Sequence, residues 1–283
     1  RLPGLLHAAF LRSPWAHARW SAPNLSAARA LPGVRGVWQA SDLAGICHSW
    51  TTALATLPQH RSAAQGPLAD GQSHWQGQPV VLVVATSRAV AEDAMALIDI
   101  AWEECPPVVD AAAALQADSP LIHPSLGSNL ALAHQIGGDS FAALAAKAHC
   151  VVQRKLVYAR HTGVPLEGRA IIADFDPSNR NLTVHQSTQV PQQMRALLAQ
   201  LFGLRETDVR VLTPDVGGAF GIKLHVYDDE MATVAASVLL GQPVKFISDR
   251  FEAFNSDVHA RSHRVNAQLA LDAHSKRVLD RFL

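Results

Sequence analysis

The sequence predicts an α+β chain of two units, in keeping with 283 residues at about 150 per domain. Three observations carry that expectation. The run Pro79-Val80-Val81-Leu82-Val83-Val84-Ala85 is apolar throughout and of strand length, and a helical pattern follows it directly. The β-rich stretch 209–213 leads through a glycine-rich turn into a second helical pattern, carried by Met231, Val234, Ala235, Val238 and Leu239. Between them, Cys105-Pro106-Pro107 stops regular structure and 111–138 is rich in turn residues without periodicity. The expected units are therefore residues 1–108 and 139–283, joined by a connector at 109–138.

In the first unit, 7–12 and 34–38 read as strands around the turn Leu31-Pro32-Gly33. The strand at 79–85, apolar at every position, is expected to be buried on both faces. Ser87 reads as the N-cap of a helix through Ala91, Ala94, Met95 and Ile98, with a strand near 97–102. Residues 59–73 are polar and read as a surface loop. From Phe141 onward, strands are expected at 150–159, 170–175, 182–186 and 209–213, with a final strand pair at 244–248 and 264–272. Met194, Leu197, Leu198 and Leu201 mark a helix closed by Gly203, and Gly241 with Pro243 closes the helix after the glycine-rich turn.

Composition excludes several function classes. A hydrophobic share of 48% against 17% charged residues describes a chain with a sizeable core, not a disordered one. Lys+Arg and Asp+Glu balance at 24 each, and no basic patch interleaved with aromatics is present, which argues against a nucleic-acid surface. The apolar runs at 79–85 and 234–240 are far too short for a membrane span. Cys47, Cys105 and Cys150 form neither a disulfide framework nor a Cys-x-x-Cys metal site, so a reducing, cytoplasmic compartment is expected. The chain opens on Arg1 rather than Met, which leaves export with a partner open.

The segment Asp215-Val216-Gly217-Gly218-Ala219-Phe220-Gly221-Ile222-Lys223 carries the chemistry. Three glycines in five positions bring the backbone close to a ligand and gather N–H groups in one concavity, which suits an anionic or oxo-rich group. It is no Walker loop, because Ile222 and Leu224 flank Lys223, and no dinucleotide fingerprint, because Ala219 stands where the second glycine belongs. A tight strand-to-helix turn without a ligand is the plainer reading of the glycines alone. A second segment, Ser187-Thr188-Gln189, lies where a strand runs into the helix opened by Pro191.

Together these segments resemble the large, molybdopterin-binding subunit of the molybdenum hydroxylases, the family of xanthine dehydrogenase, aldehyde oxidase and aerobic carbon monoxide dehydrogenase. Further landmarks agree in order: 6–14, His17-Ala18-Arg19, 30–34, Gly77-Gln78-Pro79-Val80, Pro165-Leu166-Glu167-Gly168-Arg169, 241–245 and Asp249-Arg250-Phe251-Glu252. The resemblance implies an α/β hammerhead-like N-terminal domain followed by the start of a truncated molybdopterin-binding α+β domain. It implies hydroxylation of an aldehyde or N-heterocycle carbon with oxygen from water. Electrons would leave through iron–sulfur clusters and FAD on an iron–sulfur subunit and a flavin subunit, which makes a hetero-oligomer the expected assembly. The cofactor implied is molybdopterin with its molybdenum, as such or as the cytosine dinucleotide.

Residue by residue, Gln189 matches the catalytic glutamine whose amide donates to a molybdenum oxo ligand, a neutral donor that leaves the centre's charge unchanged. Phe220 matches the residue whose backbone N–H points at the same centre, a role compatible with an ordinary core ring. Gly217, Gly218, Ala219 and Gly221 would shape the cofactor-binding loop. No side chain of the chain is expected to ligate the metal. Leu224 stands where purine-oxidising members carry a glutamate, which argues against xanthine as substrate. Family subunits continue well past this point, into a Gly-Glu motif that supplies the general base, so the chain is expected to be a fragment without activity of its own. A non-catalytic partner-binding module without cofactor is the second reading.

Other candidates take plainer readings. His259 and His263 have zinc-compatible spacing but no glutamate follows the first, so they read as ordinary histidines. Asp228, Asp229 and Glu230 read as helix-capping acids. Glu167 reads as half of a structural ion pair with a nearby arginine such as Arg169. Ser13 and Ser187 lack any triad context.

Overall fold

A computed structural model describes residues 2–52, 56–137, 140–273 and 278–282. In chain order the principal elements are β1 (Leu6–Arg12), β2 (Ala18–Trp20), α1 (Ser26–Ala30), β3 (Val34–Trp38), α2 (Ala40–Leu43), β4 (Gln72–Ser73), β5 (Pro79–Ala85), α3 (Arg88–Ala96), β6 (Trp102–Glu104), α4 (Ser140–Ala145), β7 (Cys150–Tyr158), β8 (Ala170–Asp176), β9 (Asn181–Gln186), α5 (Pro191–Leu201), β10 (Val209–Leu212), α6 (Asp228–Leu240), β11 (Val244–Ile247), α7 (Arg250–Ser256), β12 (His263–Leu271) and β13 (Val278–Phe282). The chain is mixed α and β, as expected, and forms two compact units. One comprises 1–131 with 164–257, the other 132–163 with 258–283.

The first unit is organised by one seven-stranded sheet in the order β10-β9-β8-β11-β1-β5-β3. β11 lies parallel to β1 and antiparallel to β8, so strands from the N-terminal segment and from 164–257 share a single ladder. The expected pairing of 244–248 with 264–272 does not form. β11 is taken up between β1 and β8, and β12 pairs with β7 and β13 in the second unit. All seven residues of β5 are buried because core lies on both faces. Leu82 and Val84 join the cluster under α5 and α6, while Val81 and Val83 face the cluster around α1 and α3.

Local signals place the helix ends. Ser87 caps α3 by accepting from Val90 N–H, Pro191 opens α5, and Gly241 closes α6 in the left-handed conformation. Asp249 and Glu252 form a capping box on α7. The strand expected near 97–102 is displaced to β6, which pairs with β2. The segment 59–73 is not all surface, since Leu68, Ala69 and Ser73 are buried and β4 pairs with β2. Its small and apolar residues fill space beneath β2 and β5, a role that its average polarity conceals. The second unit is a three-stranded antiparallel sheet in the order β13-β12-β7. The expected connector end at 138 and second-unit start at 139 lie outside the described residues. No helix among the described residues is long and apolar enough to cross a membrane.

Candidate functional site

The two motif segments meet because β9 and β10 are parallel neighbours, with Leu212 beside His185. The chain beyond each strand therefore leaves the sheet at the same end, where α/β ligand sites form. Contacts then fasten the two segments. Gln189 N–H and Thr188 Oγ both donate to the Lys223 carbonyl, at 3.0 Å and 2.9 Å. Thr213 Oγ donates to the Gln186 carbonyl at 3.0 Å.

The glycine loop is held from three sides. Gly217 N–H donates to Glu167 Oε2 at 2.7 Å, Ile222 N–H closes a turn on the Ala219 carbonyl at 2.8 Å, and Tyr227 O–H donates to the Ile222 carbonyl at 2.9 Å. A side chain at Gly217 would bring its Cβ within 2.7 Å of Glu167 Cβ, so only glycine permits this approach. Phe220 sits at φ +50°, a conformation that costs a non-glycine residue about 1–3 kcal/mol and persists only where surroundings impose it. Phe220 is 74% exposed, so it is not a core aromatic. The N–H groups of Gly218, Ala219, Phe220 and Gly221 donate to no other described residue. Gln189 is likewise exposed, and its side-chain amide has no partner among the described residues. The N–H groups of 218–221 and the Gln189 amide are thus left without a described partner on two segments that Lys223 ties together, and backbone N–H groups left open in this way can receive oxo or phosphate oxygens.

Glu167 does not pair with Arg169. Its Oε2 accepts from Lys223 Nζ at 2.6 Å, Ser187 Oγ at 2.9 Å and Gly217 N–H, while the Lys223 side chain is wholly buried. Burial alone would push the Glu167 carboxyl upward, but these three donors together hold it below the usual carboxylate range. Gly168 turns the chain against Ser248, whose carbonyl lies 2.5 Å from where a Cβ would stand. The side chains at 167 and 169 consequently serve different partners.

Arg169 enters a buried ionic cluster at the start of α6. It donates to both Asp229 oxygens at 2.7 and 2.9 Å, to Asp257 at 2.6 Å, to Glu230 at 3.2 Å and to Ser256 at 3.0 Å, and it stacks 3.7 Å from the Tyr227 ring centroid. Arg12 adds contacts to Asp229 at 2.9 Å and Glu252 at 3.0 Å. The acids at 228–230 are therefore not merely capping groups: all three are buried, and Asp229 holds two guanidiniums. Burial pushes Asp229 up, but Arg169 and Arg12 more than reverse this and keep it ionised. Burial pushes Glu230 up to about 7, with Arg169 only partly offsetting, and it raises Asp228 as well, helped by repulsion from Asp229. Through Tyr227 this cluster also supports the loop carbonyl at Ile222. Sequence reasoning missed this scaffold, although three consecutive acids opening an apolar helix were its visible signal. His259 and His263 lie in the second unit and are both exposed, with His263 edge-on to Tyr158 at 6.3 Å.

Comparison with known proteins matches both parts of the chain to domain families. Residues 1–106 match the aldehyde oxidase and xanthine dehydrogenase a/b hammerhead domain, and residues 122–277 match the molybdopterin cofactor-binding domain. The chain is 33% identical to the carbon monoxide dehydrogenase large chain of Hydrogenophaga pseudoflava, over 95% of this chain and 34% of that protein. It is 34% identical to the nicotine 6-hydroxylase large subunit of Paenarthrobacter nicotinovorans, over 96% of this chain and 33% of that one. The crystal structure of quinoline 2-oxidoreductase from Pseudomonas putida 86 superposes with TM-score 0.93 at 34% identity, covering all of this chain and 36% of the other. The chain thus spans about a third of the length of the relatives it matches. With matches to both domain families, this chain belongs to the molybdenum hydroxylases, as a hammerhead domain and molybdopterin-binding portion of the large subunit.

Proposed function

We propose that this chain forms one wall of the molybdenum-cofactor site in a hydroxylase that places water-derived oxygen on a carbon of an aldehyde or N-heterocycle. The observation that carries this reading is the row of unpaired amide donors at 218–221, held in a strained and anchored loop beside the free amide of Gln189. The residues fit the cofactor: the open donors are neutral and suit an oxo-rich anionic group, and the carboxylate at the loop, Glu167, is taken up by Gly217, Ser187 and Lys223. When bound, the cofactor supplies the oxygen transfer and takes up two electrons. The chain's own part is to bind and orient. The amides of 218–221 fix oxygens of the group, Gln189 donates one further hydrogen bond, and the Phe220 ring and Leu224 form an apolar rim that limits water. The match of residues 122–277 to a molybdopterin cofactor-binding domain disfavours the cofactor-free module.

Leu224 in place of a carboxylate at the rim favours substrates less polar than a purine. The relatives named for nicotine and quinoline fit an N-heterocycle. The relatives are large chains or subunits, which supports a hetero-oligomer; iron–sulfur and flavin subunits as the partners, a cytoplasmic setting and the cytosine dinucleotide form of the cofactor complete the proposal. The test uses the complete subunit carrying this sequence. Gln189→Ala should keep most of its molybdenum and lose turnover by roughly 10²–10³ in kcat on a panel of aldehydes and N-heterocycles. Wild-type turnover per molybdenum in that variant would remove Gln189 from the site.

A further inference from the structure

We propose that Glu167 is a positioning residue for this site: with buried Lys223 it staples the glycine loop to the Ser-Thr-Gln strand end and so sets the direction of the amide donors. This rests on the molybdenum-site reading above. One oxygen, Glu167 Oε2, accepts from three donors on the two motif segments: Ser187 Oγ, Gly217 N–H and Lys223 Nζ, at 2.9, 2.7 and 2.6 Å. Gly217 carries the one bonded amide of 217–221 among the described residues. On its N-terminal side the loop is held to residue 167 twice, by this carboxylate and by Glu167 N–H, which donates to the Gly217 carbonyl at 3.3 Å. Lys223 works at both ends, because its ammonium holds Glu167 while its carbonyl accepts from Gln189 N–H and Thr188 Oγ. The ammonium is fully buried while Glu167 is 38% exposed, so the carboxylate is the counter-ion whose loss would strand a buried charge. Arg250 fixes the approach of the 165–167 turn through the Pro165 and Leu166 carbonyls, both at 2.9 Å. Glu167 thus stands on a rigid support and needs no contact with substrate to act.

Two measurements test this. Hydrogen exchange over 215–221 in this chain reads the staple directly. Glu167→Ala should speed exchange of the Gly217 amide by at least about tenfold while β8 and α6 keep wild-type protection. In the complete subunit, Glu167→Ala and Glu167→Asp, whose shorter side chain keeps the charge but cannot reach the loop, should lower kcat per molybdenum by roughly 10² with KM little changed. The electron paramagnetic resonance signal of the molybdenum should change with them. If Glu167→Ala does not fold, Glu167→Ala combined with Lys223→Met, which leaves no unpaired buried charge, takes its place. Unchanged Gly217 exchange overturns the proposal. So does molybdenum lost in proportion to activity with an unaltered signal, the result of a merely structural role. A wild-type subunit without molybdenum would instead defeat the functional reading, and the exchange measurement would still decide the staple.

Discussion

Replacing Arg169 with Met tests whether the buried ionic cluster holds the site together. Met keeps most of the side chain's length, so the change isolates charge and hydrogen bonds from cavity formation. Arg169 makes five hydrogen bonds, four of them to the three carboxylates Asp229, Glu230 and Asp257. Removing one partner from a buried ionic group costs about 3–5 kcal/mol, because the charge left behind has neither water nor a counter-ion. Two features moderate the loss: Asp229 keeps Arg12 at 2.9 Å, and Glu230, already raised to about 7, takes up a proton readily. At roughly 2–4 °C per kcal/mol for a unit of this size, the melting temperature should fall by roughly 6–20 °C. The deficit should be larger at pH 8 than at pH 6. Stranded acids have folded-state affinities for protons above those of the unfolded chain, so their stability contribution is lost as pH rises. Differential scanning calorimetry at the two pH values measures both effects. A Met variant melting within about 2 °C of wild type, equally at both pH values, would show that the cluster contributes no net stability and that the reasoning from desolvation is wrong.

Two further outcomes follow from the same contacts. Glu230 has a folded pKa raised from 4.5 to about 7, so it binds its proton more tightly in the native state, and stability should decline as pH rises through that window. Glu230→Gln should flatten this decline, and an unchanged pH slope of calorimetric stability would show that Glu230 does not titrate there. Gly217→Ala should push the loop away from Glu167, since the new Cβ would lie 2.7 Å from Glu167 Cβ, while leaving the sheet intact. Loss of Gly217 amide protection with a melting temperature lowered by no more than a few degrees is the expected pattern. Retained protection would mean that the approach is not tight.

Much of this protein was legible from its residues because the forces concerned are local. Ser87, Pro191 and Gly241 mark helix ends through their own side chains or backbone, and an unbroken apolar strand at 79–85 can only be satisfied by core on both faces. The two motif segments likewise carried their family by order and spacing, and the family was confirmed by domain matches over both parts of the chain. The neutral sequence could not say which acid meets which base. Glu167 lies two residues from Arg169, yet it pairs with Lys223, 56 positions away, because Gly168 turns the intervening chain against Ser248. The strand expected at 244–248 reads from sequence as the partner of 264–272, but in place as β11 it lies between β1 and β8 and has both edges of its ladder paired there. Strand partners and buried ion pairs are settled by where the whole sheet closes and which charges lose their water, and those are properties of the assembled tertiary structure, beyond the reach of any local segment.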